Sequence, residues 1–76
     1  MILGNFALLL YNELNNMDLK QRFYKTYNNL PLGLRNEIIL VINNESITWK
    51  VARLEIDNDT PLSIEILEKL ASLNFI

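Results

Sequence analysis

The side chains available for chemistry in this sequence are carboxylates, amines, phenols and hydroxyls, because it contains no histidine and no cysteine. That removes the usual general base near neutral pH, the thiolate nucleophile and most ligands for transition metals. Disulfides are excluded as well, and a structural zinc site loses its normal donors. The densest group of oxygen donors is Glu55-Ile56-Asp57-Asn58-Asp59-Thr60. Its Asp-x-Asp spacing suits a hard cation such as Ca2+ or Mg2+, but the glycine and the distant bidentate glutamate of a calcium loop are missing. Asp and Asn also favour turns and helix caps, so the stretch reads as a capped strand-to-helix turn. No catalytic residue, metal ligand or cofactor site is expected, and the protein reads as non-enzymatic.

A different chemistry is open to Lys20, Arg22, Tyr24, Lys25 and Tyr27. Basic and aromatic side chains on one element can hold single-stranded nucleic acid by backbone contact and base stacking. Tyr27, however, belongs to the apolar stripe of its helix, and the charges are spread around that helix. Composition favours a solvated face. Nucleic-acid binding through Lys20, Arg22, Tyr24 and Lys25 is therefore the alternative reading rather than the leading one.

The charge balance points the same way. Net charge is −2, with residues 1–35 carrying four bases against two acids and residues 36–76 carrying seven acids against three bases. An acidic second half does not wrap a polyanion. Half of the residues are apolar and 21% are charged, which is too apolar for a disordered chain. A chain of 76 residues is the size of one domain and buries only about 60% of its unfolded surface. Chains this small often gain stability from disulfides, a metal or a partner, and only the partner fits this composition. The apolar run Met1–Leu10 has no basic flank and is too short for a bilayer, so the expected setting is soluble, cytoplasmic and free of membrane.

The elements that position these residues are organised around the stretch from Arg35 to Ile56, which holds the only tryptophan. It reads as two β-strands, about 37–43 and 46–56. A four-residue turn at Asn43–Ser46 would pair Ile42 with Ile47, Leu40 with Trp49 and Ile38 with Val51, giving one apolar face. Beyond Val51 the alternation changes phase, so a β-bulge near Val51-Ala52 is expected to return Leu54 and Ile56 to the Trp49 face. Ile39 and Val41 are then left on the outer face.

Helices are expected on both sides of this hairpin. Asn5 caps a nearly all-apolar helix over 5–15, and Asp18 with Gln21 starts a second over 18–28 with the stripe Leu19, Phe23 and Tyr27. The two form a helical hairpin. Leu30, Leu32 and Leu34 form a buried connector around Pro31-Leu32-Gly33. Thr60 and Pro61 start a final helix over 60–74, with Asn74 at its C-cap. Its apolar arc, from Leu62 and Ile64 to Leu73, is wider than one sheet face needs, and Phe75-Ile76 should dock on something.

The expected fold class is α+β in the order α-α-β-β-α, with the helical hairpin and the last helix packed on a bulged antiparallel hairpin. The apolar supply exceeds what one small layer buries, and exposed apolar patches mark interaction sites. The leading expectation is a small protein-binding module, acting as accessory subunit, inhibitor or antitoxin-like modulator of a larger protein, or as a homodimer. The residues expected to meet the partner are Ile39, Val41, Ile64, Phe75 and Ile76.

Overall fold

The computed structural model describes residues 18–76, and the helix expected over 5–15 lies outside them. Among the described residues helix α1 covers 18–28 and ends where expected. Its stripe at spacings of four, Leu19, Phe23 and Tyr27, is buried. Phe23 is fully enclosed and lies 5.8 Å from the Tyr27 ring and 5.9 Å from Trp49, so one aromatic cluster ties α1 to the rest of the fold. Pro31, which has no N–H to continue the helix, follows its end.

The connector is a 3-10 helix, Leu32–Asn36, and it overturns the expected buried run of leucines. Leu30 packs on the core, whereas Leu32 and Leu34 are exposed. Alternate residues share a face only in extended chain. At three residues per turn, Leu32 and Leu34 point in different directions. The side chain that turns toward the core here is Arg35, whose guanidinium carbon sits 4.5 Å from the Tyr27 ring centroid.

The hairpin forms with a different register from the one expected. Strand β1 is Ile38–Ile42 and strand β2 is Glu45–Thr48, antiparallel to it. Asn43 and Asn44 alone make the turn, with φ of 52° and 67°. Two consecutive left-handed residues match a two-residue hairpin turn, and Asn is the best non-glycine residue for that conformation. Ile42 therefore faces Glu45, Val41 faces Ser46 and Leu40 faces Ile47. The expected pairs Ile42–Ile47, Leu40–Trp49 and Ile38–Val51 do not form. The irregularity lies between Ile38 and Leu40, so the bulged residue is Ile39 on the first strand. Leu40, Ile42 and Ile47 form the buried face.

The second strand stops at Thr48, which corrects the expected strand over 46–56. The Thr48 Oγ1 accepts the Val51 N–H at 3.1 Å and caps helix α2, Trp49–Asp57. Trp49, Ala52 and Ile56, at spacings of three and four, are buried, while Leu54 is exposed. The helix needs no bulge to gather the buried residues. It also satisfies its own backbone, whereas an eleven-residue strand would have outrun β1, which is preceded by the 3-10 helix and has nothing extended to offer.

Asn58, Asp59 and Thr60 join α2 to helix α3, Pro61–Ser72. Thr60 caps α3 as expected, accepting the Ser63 N–H at 3.2 Å, with Pro61 at the first helical position. Ser63 is buried, and its hydroxyl donates to the Thr60 carbonyl. Ile66, Leu67 and Leu70 enter the core. Fully burying one such side chain contributes about 1.5–3 kcal/mol. Asn74, at φ 62°, closes the helix as Phe75 N–H bonds Leu70 O and Asn74 N–H bonds Ala71 O. The described residues are thus α+β, with helices packed on a two-stranded antiparallel hairpin.

Candidate protein-binding surface

Ile38–Ile42 is a run of five aliphatic residues in a sheet of two strands, so among the described residues β1 has β2 on one side and no strand on the other. The pair next to a two-residue hairpin turn is the hydrogen-bonded one. Val41, opposite Ser46, therefore belongs to the next, non-bonded pair, and its N–H and C=O point away from β2. Its side chain is 61% exposed. The remaining edge, that of β2, is only four residues long, exposes Glu45 and Ser46, and runs straight into α2.

Two adjoining clefts follow the free edge of β1. One, of about 440 Å³, is lined by Ile39, Leu40, Val41, Lys69, Ser72 and Leu73. The other, of about 570 Å³, is lined by Ile42, Asn43, Glu65, Glu68, Lys69 and Ser72. Side chains of a strand alternate between faces, so consecutive residues line one cleft only where it runs along the strand edge. No β2 residue lines either cleft. Together, among the described residues, they make a groove with β1 as one wall and α3 as the other.

The groove brings together two of the five residues expected to meet a partner. Val41 is open, and Ile39 is half-buried against the core yet lines the cleft. Ile64 and Phe75 are about half exposed but line neither cleft. Ile76 packs against the core, and its carbonyl accepts a hydrogen bond from Arg22 on α1. Lys69, Ser72 and Leu73 were missed. Only Leu73 carried a signal, as part of the over-wide apolar arc of the last helix; Lys69 and Ser72 belong to its polar side.

Two of the three basic residues of α1, and Tyr24 beside them, are turned to partners within the chain. Lys20 Nζ lies 2.7 Å from Asp59, Arg22 donates to the Ile76 carbonyl at 2.6 Å, and Tyr24 OH donates to Asp57. Burial and then that carboxylate push the Tyr24 phenol up to about 12. Lys25 is exposed. Of the residues expected to contact nucleic acid, Lys20 and Tyr24 thus hold α1 against the end of α2 and the turn that follows it, and Arg22 holds it against Ile76.

The acidic stretch from Glu55 to Thr60 is accordingly a helix-to-helix turn, not a strand-to-helix one. Its carboxylates diverge: Glu55 accepts the Thr60 hydroxyl, Asp57 meets Tyr24 and Arg53, and Asp59 meets Lys20. Among the described residues no group of His, Cys, Asp and Glu is arranged to hold a metal ion.

A third cleft, of about 420 Å³, lies on the outer face of α2 beside Tyr27, Lys50, Val51, Arg53, Leu54 and Asp57. Of its two cations Arg53 is already committed, since its guanidinium carbon stands 4.8 Å from the Tyr27 ring centroid and its Nε 3.5 Å from Asp57, while Lys50 is exposed. Among the described residues no helix is long and apolar enough to cross a membrane. Comparison with protein-family models, with curated proteins and with solved structures finds no match for this chain.

Proposed function

We propose that this protein is a small non-enzymatic binding module that takes a protein partner along the free edge of β1. In that role it serves as an accessory subunit, inhibitor or antitoxin-like modulator of a larger protein, or pairs with a second copy of itself. The observation that carries the reading is the aliphatic strand Ile38–Ile42, whose second edge pairs with no other strand among the described residues and borders a groove. Natural sheets protect such edges with charge, proline or covering segments, because an open apolar edge pairs with whatever strand it meets. Here the central exposed position is Val41. Nucleic-acid binding through α1 has less support, since three of its four side chains are engaged within the chain.

The test compares the wild-type chain with Val41→Lys, a substitution at an exposed edge position that leaves the core untouched. Light scattering on a sizing column reads self-association, and affinity capture from native lysate reads a hetero-partner. A dimer or captured protein that is lost with Val41→Lys supports the reading. A monomer that captures nothing, or a partner equally well held by the variant, sinks it.

A further inference from the structure

We propose that the groove between β1 and α3 receives one extended segment of another protein, aliphatic beside Val41 and Leu73 and bearing Lys or Arg beside Glu65 and Glu68. The inference rests on the reading of the β1 edge as a docking surface and adds the chemistry of what docks there.

Backbone geometry comes first. An added strand lies roughly 4.8 Å from β1 and takes its main-chain bonds from the outward N–H and C=O of Val41. Adjoining clefts of about 440 and 570 Å³ give that strand a trough bounded by α3 on its far side. Alternate side chains of an added strand project to opposite faces. One set meets Ile39, Val41 and Leu73 at the apolar end of the trough.

Charge then selects the partner. Among the described carboxylates, Asp18, Asp57 and Asp59 each have a cation within 4.0 Å, and Glu55 accepts a hydroxyl. Glu37, Glu45, Glu65 and Glu68 have no such cation, and all of them sit on the hairpin, just before it, or on α3. Glu65 and Glu68 line the cleft beside Ile42 and Asn43. Lys69 is the one base lining either cleft, and it stands in the last turn of α3, where it also faces the negative helix end. The end of the groove is acidic, so a basic side chain there completes it. A second copy of this chain fits less well, because each copy would add two carboxylates and one lysine to the same seam.

The probe is a labelled peptide of about ten residues alternating valine and lysine, long enough for one strand. Its binding to the full chain is read by fluorescence anisotropy. The comparison peptides carry glutamate for lysine, or keep lysine and are N-methylated at alternate residues. The lysine peptide should bind, and both comparison peptides should bind at least about tenfold more weakly. A Glu65→Lys/Glu68→Lys variant, altered only at exposed positions, should reverse the charge preference.

Equal binding of the lysine and glutamate peptides overturns the inference, as does full binding of the N-methylated peptide. No binding by any peptide overturns it too. A dimer that Val41→Lys converts to monomer also overturns it, with the second copy as occupant, while leaving the docking reading intact. That reading fails separately, when Val41→Lys changes neither oligomeric state nor partner capture.

Discussion

Thr48 ends a strand and begins a helix, and replacing it with valine separates those roles. Valine is nearly the same shape and is the better strand former, so a strand running on through residue 56 would tolerate or favour it. In the structure the hydroxyl oxygen accepts the Val51 N–H at 3.1 Å, and valine cannot. The freed N–H lies at an exposed helix end, where water replaces the lost partner. The cost is therefore that of a cap, about 1 kcal/mol within a range of 0.5–2, and not that of a buried orphan. Against a total stability of about 4–11 kcal/mol for a chain of this size, that is measurable. The melting temperature should fall by roughly 4–8 °C for each kcal/mol lost. Urea unfolding followed by the fluorescence of Trp49, the first residue of α2 and the only tryptophan, gives the number directly. Thr60→Val, which removes the α3 cap and also a bond to Glu55, should cost at least as much. A Thr48→Val protein as stable as wild type, or more stable, would refute the helix at 49–57 and restore the longer strand.

Phe23→Ala empties the fully enclosed centre of the aromatic cluster and should cost about 3–5 kcal/mol, leaving the chain partly unfolded at room temperature by circular dichroism. Asn44→Ala forces a Cβ residue without a polar side chain into the left-handed region and should cost about 1 kcal/mol in a urea titration, whereas Asn44→Gly should be neutral or better. The Tyr24 phenol is held protonated in the fold up to about 12, above its unfolded value of 10.0. Its contribution is therefore complete below the unfolded value and is lost as pH rises from there through the folded one. Alkaline melting curves should show that loss in wild type and a smaller one in Tyr24→Phe. Lys20→Ala breaks an exposed ion pair with Asp59 and should change stability by less than about 1 kcal/mol, with the difference shrinking in salt.

What could be read from the sequence was whatever local chemistry decides. The stripe Leu19, Phe23 and Tyr27 and the Thr60-Pro61 helix start each follow from a few neighbouring residues, and each is in place, whereas the C-cap expected at Asn74 falls one residue earlier, at Leu73. The errors have separate causes. Residues 47–56 mix β-branched side chains with an alternation that fits a strand, and only the length of β1 decides against it. That length is set by the 3-10 helix at Leu32–Asn36, a tertiary circumstance invisible in residues 47–56 themselves. The cap at Thr48 was a legible signal, but the strand pattern outweighed it. Asn43-Asn44 likewise carried the preference for a two-residue turn, and reading Ser46 into the turn displaced every cross-strand pair. Of the candidate site, Val41 was reachable because an apolar residue on the wet side of a strand is conspicuous. The α3 wall was not, since nothing in a helix's own pattern says which strand edge its end will overhang.

The inequality between the two strand edges bears on stoichiometry. A sheet with two receptive edges can lengthen in both directions, and such molecules join into open-ended ribbons. In this hairpin β2 is short, polar at its exposed positions and continued by α2, so only β1 can receive. Under the docking proposed above, each molecule consumes one strand and offers none in return. In that role it would terminate sheet growth, making a closed one-to-one complex the expected end state rather than a fibre.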